Sequence, residues 1–591
     1  MDAPSIVGRD PELARLRAFV TPPAGGRAVD GAAGRSAAAL LLVGEPGLGK
    51  TTLWQAGVDL ARHERLRVLA ARPAEPESRL GFSGLADLLG NLPRTMLASL
   101  PPPQRRALEI ALVLADATSA DTPEERAVGP AVLGVLRAAA ARRPILVAID
   151  DLQWLDVASA DALAYALRRA GELPVRVLLA RRPGAASRLE ASAGGVSLDR
   201  LDLAPLSPGA IRRVVRERLG LELSHRSLRA LHDRSGGSPL AALELARLGG
   251  QDIGLDDEPR AARGADLDDV VGLRVERLPK NVRTLLAAVA MAAAPRVAEM
   301  ELLDRHAYAR ALQLGALVSD ADRVRLGHPL LGAAAVRRAS PVERRVLHGR
   351  LAAVVEDAGQ RLRHRALAAE GPDPGLAAAL AAAALAATRR GAHEEAADLA
   401  DAALRLTPAD AAERPRRLLD LVERLLVVGE HDAARRWLDE AVTTFAPGPQ
   451  RATARVLQGE ATYHHAERPD VDLALDLAMQ DGADDPRTRA WILARRASYV
   501  VLGKVDDLPA AERALREAIH LSRDRFPDVE REALRVLAWA QHLRGESLEP
   551  VRARFEAIHG DTDVFRGIDR IQAERWAAEG RLADAHAELE R

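Results

Sequence analysis

The residues that can do chemistry are concentrated in one short stretch. Residues 44–52 read Gly44-Glu45-Pro46-Gly47-Leu48-Gly49-Lys50-Thr51-Thr52. Glycine, four residues, then Gly-Lys-Thr is the spacing of a loop that cradles phosphate. Glycines let successive backbone N–H groups turn toward an anion with no Cβ in the way. Lys50 can reach β- and γ-phosphate oxygens, and the Thr51 hydroxyl can ligand Mg²⁺. The flanks support this, with apolar residues 38–43 before the loop and a helical run over 52–62 after it.

A second stretch supplies the acids. Five apolar residues, Ile145-Leu146-Val147-Ala148-Ile149, run into Asp150-Asp151-Leu152-Gln153-Trp154-Leu155-Asp156. That pattern predicts a buried parallel strand with carboxylates at its C-terminal end, where open α/β sheets bind ligands. Asp150 is placed to hold Mg²⁺ through its water shell, and Asp151 to orient or deprotonate an attacking water. A solvated acidic turn is the alternative reading. Trp154 is expected to be a packing anchor. A third strand, 175–180, ends in Arg181-Arg182-Pro183. An arginine there suits γ-phosphate oxygens; Arg181 is named as the candidate, with the choice between it and Arg182 left open and a solvent-facing basic loop as the alternative reading.

These groups need a frame. Strands are predicted at 38–43, 66–71, 145–149, 175–180 and 198–203, alternating with helices, which indicates a doubly wound parallel sheet. Residues 21–36 read as a Gly/Pro/Ala-rich insertion and 83–117 as helical, broken at 101–103. After residue 206 the pattern turns helical: 207–219, 224–233 and 240–248 form a lid, and 252–269 a linker. Residues 266–350 predict helices at 278–294, 297–306 and 308–314, a hairpin at 317–326 and a helix opened by His328-Pro329, a winged-helix-like unit.

From residue 351 the chain is helical and repeats. Glycines at 391, 429, 503, 545 and 580 recur at intervals of 38, 74, 42 and 35 residues, the long interval holding a turn at 467–469. Gly391-Ala392-His393-Glu394-Glu395-Ala396-Ala397 reappears as Gly429-Glu430-His431-Asp432-Ala433-Ala434 and as Gly580-Arg581-Leu582-Ala583-Asp584-Ala585. Periods in the mid-thirties mark tetratricopeptide-like solenoids, an ordinary helical bundle being the alternative. The last helical pattern reaches Arg591 without a polar cap, so a continuation is expected.

Composition agrees with several globular domains in 591 residues. Aromatic residues are only 3%, so cores must be built from Ala, Leu and Val. A net charge of −1 gives no electrostatic case for nucleic acid or membrane. There is no cysteine, hence no disulfide or thiolate metal site. The longest apolar run, 376–387, is too short to span a bilayer. With no signal-peptide pattern at the start, a cytoplasmic location is expected.

Taken together, these stretches resemble the STAND class of signal-transduction ATPases, and within it the large ATP-binding regulators of the LuxR family. The resemblance spans residues 6–404. It rests on Val7-Gly8-Arg9-Asp10-Pro11-Glu12-Leu13, the phosphate loop, Asp150 to Asp156, Gly236-Gly237-Ser238-Pro239-Leu240, Gly327-His328-Pro329-Leu330 and Ser340-Pro341-Val342-Glu343-Arg344-Arg345-Val346-Leu347-His348. It implies an AAA+-like P-loop NTPase domain over 1–205, a lid and linker over 206–265, a winged-helix-like domain over 266–350 and helical repeats over 351–591. It also implies that Val7, Gly8 and Arg9 lie by the adenine, that Pro239 packs on the base, and that His328 touches ADP phosphates, a packing histidine being the other reading. The cofactors would be ATP or ADP with Mg²⁺. The chain would act as a switch with slow hydrolysis, taking a small-molecule or protein inducer on its repeats and self-associating with ATP. An interaction scaffold with a vestigial ATPase domain is the rival reading. Such regulators usually end in a DNA-binding helix-turn-helix; none is visible after Gly391, so DNA is expected as a partner only through a segment outside this chain.

Overall fold

The computed structural model describes residues 6–590 except 22–37, 91, 116–124, 172, 185–186, 193–196, 250–266, 321, 464–467, 503–506 and 559–567. The expected insertion, most of the expected linker, Gly503 and the start of the 467–469 turn therefore lie outside the described residues. The chain forms two compact units, one built mainly from residues up to Gly371 and one from 372 onward.

The first unit opens with α1 (Asp10–Val20), β1 (Ala38–Val43), α2 (Lys50–His63) and β2 (Arg67–Ala71). Three short helices follow, α3 (Ser83–Leu89), α4 (Arg94–Ala98) and α5 (Pro102–Ala111), then α6 (Glu125–Ala140) and β3 (Ile145–Ile149). The expected 83–117 helix is thus three pieces. Pro93 and the Pro101–Pro103 run break it because proline disfavours helical geometry in the residue before it. Next come α7 (Val157–Arg168), β4 (Val175–Arg181), α8 (Arg188–Ser192) and β5 (Ser197–Asp202). All five strands are parallel in the order β2-β3-β4-β1-β5. The central strands are buried on both faces, which is why they read as unbroken apolar runs rather than alternating ones. One layer, from α3 to α7, covers the face carrying Leu41, Val147 and Leu179; α1 and α2 cover the face carrying Leu42, Leu146 and Leu178.

The lid is α9 (Pro208–Leu219), α10 (His225–Ser235) and α11 (Pro239–Gly249). Serines at 207 and 224 cap the first two helices through their hydroxyls. Then follow α12 (Leu267–Arg277), α13 (Lys280–Met291), α14 (Val297–Gln313), the antiparallel pair β6 (Leu317–Asp320) and β7 (Arg323–Leu326), α15 (Pro329–Arg338), α16 (Pro341–Val354) and α17 (Ala358–Ala368). The two helices expected at 297–314 are both present; rather than at the expected break after His306, they meet at Asp304, whose backbone is non-helical. Its carboxylate accepts from Ala307 N at 2.9 Å and so starts a new turn.

The second unit is all-helical, α18 (Pro374–Arg389) through α29 (Leu582–Glu590). From the helix starting at Arg414 through to the one starting at Glu549 consecutive helices pack on each other, and the alternate helices starting at Arg414, Pro449, Pro486, Pro527 and Ile568 also pack on one another in series. That is the connectivity of stacked helical pairs, a tetratricopeptide-like solenoid. Gly391, Gly429, Gly545 and Gly580 all have φ near +80° and end a helix.

Candidate functional site

Strand order puts the chemical groups in a row. The carboxyl ends of β3, β4 and β1 are neighbours, carrying Asp150-Asp151, Arg181-Arg182 and the 44–50 loop respectively. Strands lie about 4.8 Å apart, so the row spans roughly 10 Å, the scale of a polyphosphate. Gly47 and Gly49 have φ of +81° and +94°. A Cβ at Gly49 would meet nothing within 4 Å, so that glycine is required by backbone conformation and not by space.

Lys50 is 7% exposed. Its Nζ donates to the carbonyls of Gly44 at 2.8 Å and Glu45 at 3.0 Å. Burial pushes its pKa down, opposed first by the charge of Asp151. Among the described residues no carboxylate hydrogen-bonds it, so the ammonium keeps a charge that an anion can neutralise. Asp150 is 3% exposed. Burial, then the charge of Asp151, pushes its pKa up; Arg72 and a hydrogen bond from the Thr51 hydroxyl oppose this. A hydroxyl and a carboxylate joined in this way form a hard-oxygen pair, the donor set Mg²⁺ selects. The residues present therefore fit a magnesium polyphosphate.

Other predicted residues converge from separate segments. Val7 packs at the edge of the lid core. Gly8 has φ +73°, and a Cβ there would lie 2.7 Å from the Ala210 Cβ of α9. Arg9 is buried, donates to Leu48 O at 2.9 Å and pairs with Glu12 at 2.8 Å. Pro239 begins α11; its neighbours Ser238 (through Oγ) and Leu240 (through N) both donate to Gly47 O at 3.3 Å. His328 caps α15, its Nδ1 accepting from Leu330 N at 3.2 Å. Burial, then the charges of Arg182, Lys50 and Arg274, push its pKa down to about 4, so it is neutral at pH 7 and stands near the loop lysine. Glu45, Thr51 and Thr52 are exposed, and Pro46 is half-buried in the loop.

The assignment of Arg181 as the phosphate-facing arginine is corrected. Arg181 is 5% exposed and its Nε stands 2.7 Å from Glu190 Oε1. It also donates to Arg182 O at 2.8 Å. Successive strand residues point to opposite sides, and it is Arg182 whose charge reaches Lys50 and His328. Trp154 is half-buried and lines, with Gln153 and Arg182, a cleft of about 470 Å³ beside the acidic loop.

Sequence reasoning passed over Arg72. Its Nη2 lies 3.7 Å from Asp150 Oδ2, and its guanidinium sits 5.2 Å above the Trp54 ring. The signal was a basic residue directly after β2, which becomes meaningful once β2 is known to neighbour β3. Asp156 was quoted only within a motif. It is 2% exposed and accepts from Phe82 N (2.8 Å), Gly84 N (2.9 Å), Ser83 Oγ (3.2 Å) and Ser159 N (2.9 Å). It clamps the start of α3 to the start of α7.

The β6–β7 hairpin also touches the sheet domain. Arg323 lies 3.9 Å from Asp87. Glu77, 7% exposed, is pushed up to about 7 by burial, offset by the Ala74 amide it accepts from, raised further by Asp87 and lowered by Arg323 and Arg325. Its folded pKa lies above the ordinary 4.5. The folded state therefore binds the proton more tightly, and stability falls as pH rises from about 4.5 to about 7 and is flat above. The cost at pH 8 is on the order of 3 kcal/mol. Glu77→Gln keeps an acceptor for Ala74 and is expected to melt higher than the parent at pH 8 and equally at pH 4. Equal melting temperatures at both pH values would contradict this.

The fold and loop define a P-loop ATPase domain of AAA type, and residues 5–179 match the family described as the AAA ATPase domain. Among solved structures, the chain is similar to a Signal Transduction ATPase with Numerous Domains protein with a tetratricopeptide repeat sensor from Pyrococcus horikoshii. Identity is 13%, coverage 100% of this chain and 86% of that one, and the TM-score 0.42. It is also similar to a RuvB variant from Thermotoga maritima, at 16% identity, 54% and 92% coverage and a TM-score of 0.24. No curated protein matches the chain. Among the described residues no helix is long and apolar enough to cross a membrane.

Proposed function

We propose that this chain is an adenine-nucleotide-dependent switch of the signal-transduction ATPase type, with slow ATP hydrolysis, a helical-repeat sensor region and an output of transcriptional-regulator kind. One observation carries it: two separate segments hydrogen-bond the phosphate loop and a third carries an imidazole within electrostatic range of its lysine. The lid reaches Gly47 through Ser238 and Leu240, the 7–9 turn reaches Leu48 through Arg9, and the winged-helix unit sets His328 in the field of Lys50. A nucleotide held there would adjoin all three, so its identity could set their arrangement.

Lys50 would leave the loop carbonyls for β- and γ-oxygens, and Arg182 would face the γ-phosphate. Thr51 and Asp150 would hold magnesium, which when bound neutralises charge between those oxygens. In hydrolysis the oxygen of a water bonds to the γ-phosphorus, the bond to the β,γ-bridging oxygen breaks, and ADP leaves with that electron pair. Asp151 orients this water and takes its proton. The closed arrangement would favour ADP, and ATP with an inducer on the repeats would favour an open, self-associating one.

The purified protein is expected to carry ADP, and exchange to ATP with an unreactive γ-linkage to raise its mass in light scattering. Equal affinity for ADP and ATP with no change of mass would overturn the switch, because a ligand shifts an equilibrium only by its differential affinity.

A further inference from the structure

We propose that Gln153 is a positioning residue that locks the Asp151 carboxylate to the main chain of Arg182, so that the acidic end of β3 and the basic end of β4 respond to the γ-phosphate as one unit. This rests on the ATPase reading above and adds a residue to it.

Asp151 has φ +48°, a left-handed conformation that non-glycine residues rarely adopt. It opens a single 3₁₀ turn, Leu152–Trp154, which brings Gln153 back over it. Gln153 Nε2 donates to Asp151 Oδ1 at 2.7 Å. Its Oε1 accepts from Arg182 N at 3.3 Å. The amide orientation is fixed by its partners: an ionised carboxylate only accepts and a backbone N–H only donates. A neutral group with a donor on one side and an acceptor on the other is needed, at this length. Glutamate would set a second carboxylate against Asp151, and methionine offers neither role. The bridge crosses between adjacent parallel strands at the edge where Lys50 feels both Asp151 and Arg182. Without it, one Asp151 oxygen loses its partner and the carboxylate is free to turn toward Lys50. The Arg182 main chain loses its tie to the same loop.

The test uses the full chain and three variants, Gln153→Ala, Gln153→Met and Gln153→Glu. Single-turnover hydrolysis of ATP is expected to fall about 10- to 100-fold in the first two, the range of a misplaced proton acceptor, while ADP affinity stays within about twofold. Gln153→Glu, which sets a second carboxylate against Asp151, is expected to lose hydrolysis at least as far while ADP binding is retained. A purely structural role would lower ADP binding and hydrolysis together. A second readout needs no turnover: the ratio of ATP to ADP affinity by calorimetry is expected to change at least about fivefold in Gln153→Ala. Unchanged rate and ratio overturn the proposal, as does loss of ADP binding in step with hydrolysis. If the parent protein binds nucleotide and never hydrolyses it, the hydrolysis reading fails and the affinity ratio alone decides Gln153.

Discussion

Lys50→Ala is expected to bind ATP at least about a hundredfold more weakly than the parent, a loss of about 3 kcal/mol, with its folded structure intact. The affinity loss follows from what the ammonium does in the loop. Its partners are two main-chain carbonyls, Gly44 and Glu45, and burial already disfavours its charge. A polyphosphate supplies the counter-charge, and charge-assisted bonds in a half-desolvated loop are among the stronger polar contacts. The intact fold follows from the same facts. Removing a buried cation that no described carboxylate hydrogen-bonds strands no opposite charge; the buried Gly44 carbonyl loses one donor, while Glu45 is exposed to water. Titration calorimetry with Mg-ATP reads the first effect and thermal melting of the nucleotide-free protein reads the second. Parent-like affinity would remove Lys50 from the site, and a collapsed melting temperature would make it a structural lysine.

Asp156→Ala is expected to act in the opposite sense, unfolding the first unit more easily by about 3–5 kcal/mol. The carboxylate is the shared acceptor of two helix starts. Phe82 N, Gly84 N and the Ser83 hydroxyl on one side and Ser159 N on the other lose their partner together, in a site too tight to admit water freely. A Cβ at Gly84 would lie 2.3 Å from Leu155 Cδ1, which shows how closely the two segments approach. Burial raises the pKa of Asp156, and hydrogen bonds from the Gly84 amide, the Ser159 amide and hydroxyl and the Phe82 amide oppose the rise. Asp156→Asn keeps part of the acceptor set and should lose less. Urea unfolding followed by far-ultraviolet circular dichroism measures both. An alanine variant within about 1 kcal/mol of the parent would show that the clamp is redundant.

The sequence was most readable where one physical requirement dominates. The Gly44–Thr51 spacing and the apolar run into Asp150 are imposed by a phosphate and by a strand buried on both faces, and each leaves a local signature. The glycine periodicity past residue 391 is similarly local, because the turns at Gly391, Gly429, Gly545 and Gly580 each take a left-handed residue. What could not be read depended on strand order. Arg72 becomes a partner of Asp150 only when β2 lies beside β3, and Gln153 can bridge to Arg182 only when β3 lies beside β4. Arg181 and Arg182 are chemically alike in a string of letters. The side to which each points follows from the strand's pleat, and Glu190, which engages Arg181, comes from a later helix. The two helices over 297–314 were legible, but not their junction at Asp304, since aspartate both starts helices and sits on their surfaces.

The short ribbon of β6 and β7 has two working ends. Arg323 and Arg325 rest toward Asp87 and Glu77 on the sheet domain, and His328 follows only three residues after Arg325, facing the field of Lys50. A chain that short has almost no slack. One short segment therefore carries both the charges that answer the acidic seat of Asp87 and Glu77 and the imidazole that feels Lys50, so the electrostatics of the flank and of the loop are bound to the same few residues.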